Sequence, residues 1–233
     1  MNAHVTAVVA AAGRGTRLGV RKQFLDLLGK PVAAWCLQVL AGSPLVTDIV
    51  VACEPDEADE CTRVASGCCG NKLRAVVPGG ERRQDSVLAC LRAAGADVDY
   101  ILVHDGARPF VTEDMIGRVL DAARVTGAAV VAVPVKDTIK IAGTPGIVTR
   151  TIPREQLWAA QTPQAFAFDI LMAAYAAAES EGFIGTDDAM LVERAGTVQV
   201  SIVEGSYDNV KITTPEDLAV AERIGRRRLA EST

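Results

Sequence analysis

The sequence predicts an α/β chain, a mostly parallel twisted sheet flanked by helices, and three observations carry that expectation. Short β-branched runs alternate with longer segments of helical spacing from residue 5 to residue 133. Of the 233 residues, 49% are hydrophobic but only 4% aromatic, so the core is built from Ala, Val, Leu and Ile. That composition suits strands buried on both faces beneath helices. Finally, the strands run into glycine-containing or polar turns, where ligands gather in a parallel sheet.

The first strand is Val5–Ala10, leading into the turn 13–15, and a helix is expected over 32–40. A second strand at 49–52 precedes a helix over 55–66. The third strand, 73–77, feeds a helix over 84–94 with Val87, Leu88 and Leu91 on its apolar face. A fourth strand, 100–103, ends in the loop 104–109, followed by a helix over 115–124 and a fifth strand at 128–133. Such alternation implies parallel pairing through right-handed crossovers.

The rhythm breaks after Pro134. Segments 138–141 and 147–151 alternate as strands do around the turn 143–146, which predicts a projecting β-hairpin. A lone hairpin is marginal in water, so it is expected to pack against something, a second subunit included. The chain then re-enters the domain over 157–161, with helices at 166–180 and 187–194 and a strand at 198–203. A closing helix over 215–229 starts with Thr214 as N-cap and Pro215 in the first turn. With no linker rich in Gly, Ser or Pro, residues 1–233 read as one domain with an arm at about 136–155.

A net charge of −5 argues against a nucleic-acid partner. The one dense basic run, Arg226-Arg227-Arg228, falls where cations complement the end of the closing helix. Six cysteines form no Cys-x-x-Cys pair, and His4 and His104 are the only imidazoles, a poor set for zinc. Reduced thiols, no signal peptide and no apolar run long enough to span a bilayer predict a cytoplasmic chain without membrane contact.

Five blocks carry candidate chemistry. Ala11, Ala12 and Gly13 close the first strand with small residues that admit a ligand to the backbone, and Arg17 and Lys22 add charge. The glycines at 13, 15 and 19 fit neither the dinucleotide fingerprint nor a P-loop. Gly80, Glu81 and Ser86 surround a turn that opens a helix, with Ser86 suited to reading a base edge. Asp105 sits at a strand's carboxyl end, placed for a ligand hydroxyl or hydrated metal, and Arg108 for a phosphate. His104 beside them is more often a satisfied structural donor than a base. The fourth block is Gln161-Thr162-Pro163-Gln164. In the fifth, Lys211 stands between Val210 and Ile212, and in an alternating strand it would face away from both.

Taken in order, the blocks AAGRGTR with KQF, GGERRQDSV, HDGARP, VPVKDTIK, LWAAQTPQ and DNVKITTPEDL resemble the 2-C-methyl-D-erythritol 4-phosphate cytidylyltransferases of the non-mevalonate isoprenoid pathway. The resemblance spans nearly the whole chain. It implies a Rossmann-like nucleotidyltransferase fold, CTP and a sugar-alcohol phosphate as substrates, magnesium, and a homodimer clasped by the arm. It further implies that Arg17 and Lys22 hold the triphosphate and that Lys211 lies near the α-phosphate. Ala11, Ala12, Gly13, Gly80, Glu81 and Ser86 would meet the nucleotide, and Asp105, Arg108 and Thr162 the acceptor. Thr138 and Arg154 would reach a partner's site from the arm. The chain has Arg21 where the family often has proline, and Glu81 where a shorter acid is common. Ribitol 5-phosphate cytidylyltransferases are similar to this family, so that acceptor is the alternative. A dinucleotide-dependent oxidoreductase would need the glycine spacing that is missing here.

Overall fold

The computed structural model describes residues 3–13 and 22–231, and with Lys22 only its backbone. Strand β1 (Val5–Ala10) is buried almost throughout and pairs in parallel with two neighbours. The chain order is β1, α1 (Val32–Gly42), β2 (Asp48–Cys53), α2 (Ala58–Cys69), β3 (Leu73–Pro78), α3 (Arg83–Ala94), β4 (Tyr100–Asp105), α4 (Glu113–Thr126) and β5 (Ala128–Pro134). Then come β6 (Lys140–Ala142), β7 (Val148–Thr151), β8 (Trp158–Ala167), α5 (Phe168–Glu181), α6 (Asp188–Ala195), β9 (Val200–Glu204) and α7 (Pro215–Glu231). The expected helix over 55–66 is divided, a 3-10 turn at Pro55–Glu57 preceding α2.

Seven strands form one sheet in the order β3-β2-β1-β4-β8-β5-β9. Period-2 alternation sorts its side chains onto two faces. Val5, Ala7 and Val9 meet α1, α2 and α4 in one apolar cluster, while Val8 meets α3, α5 and α6 in the other. A third, smaller cluster of Leu27, Val32, Phe110, Ile212 and Ile224 lies under α7. The winding reverses between β1 and β4, where Ala10 lies opposite Asp105. Crevices open at such switch points.

One strand was not foreseen. Residues 158–167 form β8, antiparallel to both β4 and β5, and the helix expected from 166 begins at Phe168. Gln161-Thr162-Pro163-Gln164 gives little strand signal because proline cannot donate to a ladder. The sheet accommodates it with an irregularity: pairing jumps from Val130↔Gln164 to Ala132↔Ala160.

The hairpin is present as β6 paired with β7, and every residue of both strands is exposed. Thr214 and Pro215 open α7 as expected, with Asp217 Oδ2 accepting the Thr214 N–H at 2.8 Å. In the last turns of α7, Arg227 pairs with Asp208 and Arg226 with Glu222, so the basic run is engaged by local carboxylates. Lys211 is not in a strand. It belongs to an irregular segment between β9 and α7, fixed by the Ile212 N–H donating to the Ala107 carbonyl at 2.9 Å.

Candidate active site

Close backbone approach makes the floor of the site. Ala11 N–H donates to the Ala52 carbonyl at 2.8 Å, Gly106 N–H to Ala10 at 2.9 Å, and Gly79 N–H to Cys53 at 2.7 Å. A Cβ on Gly79 would collide with that of Ala12, so these turns interlock only while both residues stay small. Above them opens a cavity of about 400 Å³ lined by Ala11, Ala12, Gly13, Glu81, Ser86, Asp105 and Lys211. Arg83 and Gln23 join this lining. Ser86 Oγ accepts the Gly80 N–H and donates to the Arg82 carbonyl, each at 3.1 Å, so it shapes the glycine turn as well as facing the cavity.

A second cavity, about 240 Å³, lies beside the first and is lined by Arg108, Thr162, Gln161, Gln164, Thr186 and Asp187. Arg83, Asp105 and Lys211 line both. Asp105 gathers the charges at this shared wall. Its Oδ1 accepts from Arg83 Nε at 2.9 Å, its Oδ2 lies 2.8 Å from Lys211 Nζ, and Arg108 Nε is 3.5 Å from Oδ2. Burial alone would push the Asp105 carboxyl up; the charges of Arg83, Lys211 and Arg108 outweigh it and hold it well below the usual range. Burial likewise opposes charge on Arg83, yet Asp188 and Asp105 raise it. Arg108 is lowered by burial, which its contact with Asp105 opposes. Arg83 Nη2 and Arg108 Nε are buried without a hydrogen-bond partner among the described residues, donors that an anionic ligand would satisfy.

Thr162 supplies a side-chain acceptor just past the end of the β4–β8 ladder. Its Oγ1 accepts the Asp105 N–H at 3.0 Å and lies 3.1 Å from His104 Nδ1. His104 Nε2 lies 3.0 Å from the Arg108 carbonyl, an acceptor, so Nε2 carries the proton and Nδ1 accepts the Thr162 hydroxyl. Burial lowers the His104 pKa to about 4, leaving the ring neutral and both nitrogens engaged. His104 braces the loop and is not a base.

The family model for IspD, 2-C-methyl-D-erythritol 4-phosphate cytidylyltransferase, matches residues 5–227. The chain belongs to this family. A 2-C-methyl-D-erythritol 4-phosphate cytidylyltransferase from Geobacter metallireducens is 50% identical over 97% of this chain and 99% of its own. Another from Pelotomaculum thermopropionicum is 49% identical over 96% of this chain and 95% of its own. The crystal structure of 4-diphosphocytidyl-2C-methyl-D-erythritol synthase from Anaerococcus prevotii superposes with a TM-score of 0.88 at 29% identity, covering 97% of each chain.

Against the site expected of this family, the chain brings Ala11, Ala12, Gly13, Glu81, Ser86, Asp105 and Lys211 to the first cavity. It brings Arg108 and Thr162 to the second. Gly80 sits in the turn held by Ser86 without lining either cavity. Thr138 and Arg154 are exposed on the arm and line neither; Arg154 Nη1 donates to the Lys136 carbonyl at 3.1 Å. Arg17 and the side chain of Lys22 lie outside the described residues. Sequence reasoning missed Arg83, which lines both cavities. The available signal was the second arginine of GGERRQDSV, one residue inside a helix that starts at the site.

The described residues contain no cluster of three His, Cys, Asp or Glu suited to a metal. All six cysteines are free; burial pushes the thiols of Cys36 and Cys90 well up, and that of Cys69 up to about 12. No helix among the described residues is long and apolar enough to cross a membrane.

Proposed function

We propose that the chain transfers the cytidylyl group of CTP to 2-C-methyl-D-erythritol 4-phosphate, giving 4-diphosphocytidyl-2-C-methyl-D-erythritol and pyrophosphate. The observation that carries this reading is the pair of cavities meeting at Arg83, Asp105 and Lys211. The first cavity, floored by small residues and the glycine turn, suits the nucleotide. The second, with Arg108 and Thr162, suits a phosphorylated polyol. A ribitol 5-phosphate acceptor is the alternative reading, and family membership favours the methylerythritol substrate.

In the reaction an acceptor phosphate oxygen attacks the α-phosphorus of CTP. A new P–O bond forms, the bond from the α-phosphorus to the bridging oxygen breaks, and pyrophosphate leaves with the electron pair. A phosphate monoester with a second pKa near ~6 is largely dianionic at neutral pH, so no base is required. The obstacle is charge, since two unit charges ~4 Å apart repel by about 4 kcal/mol at an effective dielectric of ~20. Lys211, Arg83 and Arg108 are placed to offset this, with Arg17 and Lys22 expected to join them from the first loop. Catalysis is then positioning plus fixed charge.

Magnesium fits this site only as a passenger of the phosphates. Both oxygens of Asp105 are engaged by cations, so that carboxylate is not an open metal ligand. Residue ligands would be few, as is usual for magnesium on nucleotides, where the ion neutralises phosphate charge.

A homodimer through the arm is part of the same proposal. Ile147 is 67% and Val148 54% exposed on the hairpin, apolar surface that packing against a second subunit would cover. A partner's site would receive Thr138 and Arg154. The free thiols suit a reducing cytoplasm. The deciding experiment is pyrophosphate release with each of the four nucleoside triphosphates against both acceptors. Release confined to CTP with methylerythritol phosphate supports the reading; preference for ribitol 5-phosphate or another nucleotide overturns it.

A further inference from the structure

The ion network continues behind the cavity wall. Arg83 is the first residue of α3 and Asp188 the first of α6. Arg83 Nη1 donates to Asp188 Oδ2 at 2.6 Å while its Nε donates to Asp105 Oδ1 at 2.9 Å. Asp188 is 1% exposed and lines neither cavity, so no substrate touches it. Its Oδ1 accepts the hydroxyl of buried Tyr175 at 2.5 Å. The start of α6 is itself tied to β8: Gln164 accepts the Ala189 N–H at 3.1 Å and donates to Asp187 Oδ2 at 2.8 Å. Asp188 is therefore a fixed anion that cannot follow Arg83 if Arg83 moves.

Three cations surround Asp105, namely Arg83, Lys211 and Arg108. Lys211 and Arg108 share Asp105 Oδ2, at 2.8 and 3.5 Å, while Oδ1 accepts from Arg83. Asp188 takes a second nitrogen of Arg83, and a planar guanidinium bonded at two points is fixed in orientation as well as position. That keeps Arg83 on Asp105 Oδ1, with Oδ2 facing Lys211 and Arg108, and it fixes where the unpartnered Arg83 Nη2 lies.

We propose that Asp188, steadied by Tyr175, is a positioning residue for the transfer reaction: it orients Arg83 and, through Asp105, the ammonium of Lys211 at the wall where the two substrates meet. The inference rests on the cytidylyl-transfer reading. Asp188 shapes the reaction without contact with either substrate, and its effect on turnover runs through Arg83.

A double-mutant cycle on kcat tests this. Asp188→Asn should lower kcat roughly 10–100-fold, the usual cost of removing a group that orients a contacting one. Tyr175→Phe should lower it by a smaller factor. Arg83→Lys keeps the charge but lacks the planar fork that fixes orientation, so in that background both substitutions should have little further effect on kcat. Losses that multiply, or unchanged kcat in Asp188→Asn and Tyr175→Phe alike, overturn the proposal, because an Asp188 that only supported the fold would act independently of Arg83. Should Asp188→Asn not fold, Tyr175→Phe removes a single oxygen and carries the same cycle. A wild-type chain that releases no pyrophosphate overturns the transfer reading instead, so the two failures are told apart.

Discussion

Lys211 Nζ stands 2.8 Å from Asp105 Oδ2, and the pair forms part of the wall between the two cavities. The lysine approaches from the segment between β9 and α7, the aspartate from the end of β4. The two elements are tied together by the Ile212 N–H donating to the Ala107 carbonyl and by Arg108 Nη1 donating to the Asn209 carbonyl. On the proposed reading, charge at this wall would face the α-phosphate as it exchanges partners.

Replacing Lys211 by Ala is expected to lower kcat by ~10²–10³, the scale of a preorganised charge-stabilising group. Lys22→Ala should do the same. Pyrophosphate release at saturating substrates, on variants whose circular dichroism matches wild type, measures both. Near wild-type turnover in either would remove that lysine from the machinery.

Thr162→Val keeps the volume and deletes the hydroxyl that Asp105 N–H and His104 Nδ1 share. Both groups are buried, and each left unsatisfied costs about 1–3 kcal/mol. The urea midpoint should fall with an unchanged slope. Thr162→Ser, which keeps the oxygen, should escape most of that loss. Equal stability in Val and Ser variants would show that the hydroxyl holds nothing.

The sheet was legible where periodicity and punctuation agreed. Val5–Ala10, leading into the Gly13 turn, could be little else than a buried strand. β8 was illegible because its centre, Gln161-Thr162-Pro163-Gln164, carries polar groups whose partners lie on β4, α6 and the segment before α7. Only tertiary structure supplies those partners. The same holds for Arg83: one arginine among two looks like a solvated helix start until Asp105 and Asp188 converge on it. Lys211 was assigned to the site for a strand geometry that does not exist, yet its neighbour Ile212, buried under α7, turns it there all the same.

His104 makes the chain acid-sensitive in a defined window. Its proton binds at about 4 in the folded chain against 6.5 for an ordinary imidazole. Between these values the unfolded chain takes up a proton that the folded chain refuses, so stability falls as pH drops from 6.5 towards 4. At 1.36 kcal/mol per pH step this amounts to roughly 3 kcal/mol. Asp105, held low, keeps its contribution at ordinary acid pH and loses it only in stronger acid. Denaturation curves of wild type and His104→Gln between pH 7 and pH 4 should therefore converge as pH falls; parallel curves would contradict a buried neutral imidazole.

The arm yields the last prediction. Arg154 lines neither cavity of its own chain, and Lys211 lines both. In a two-fold dimer whose arms complete each other's sites, mixing Lys211→Ala with Arg154→Ala subunits builds heterodimers in which one site receives both defects. The other site then receives neither, so equal mixing should restore about a quarter of the wild-type sites. Activity should rise with the rate of subunit exchange, followed by mass spectrometry of labelled chains. Exchange without recovered pyrophosphate release means that each chain builds its site alone, and the exposed apolar hairpin then serves assembly without entering the chemistry.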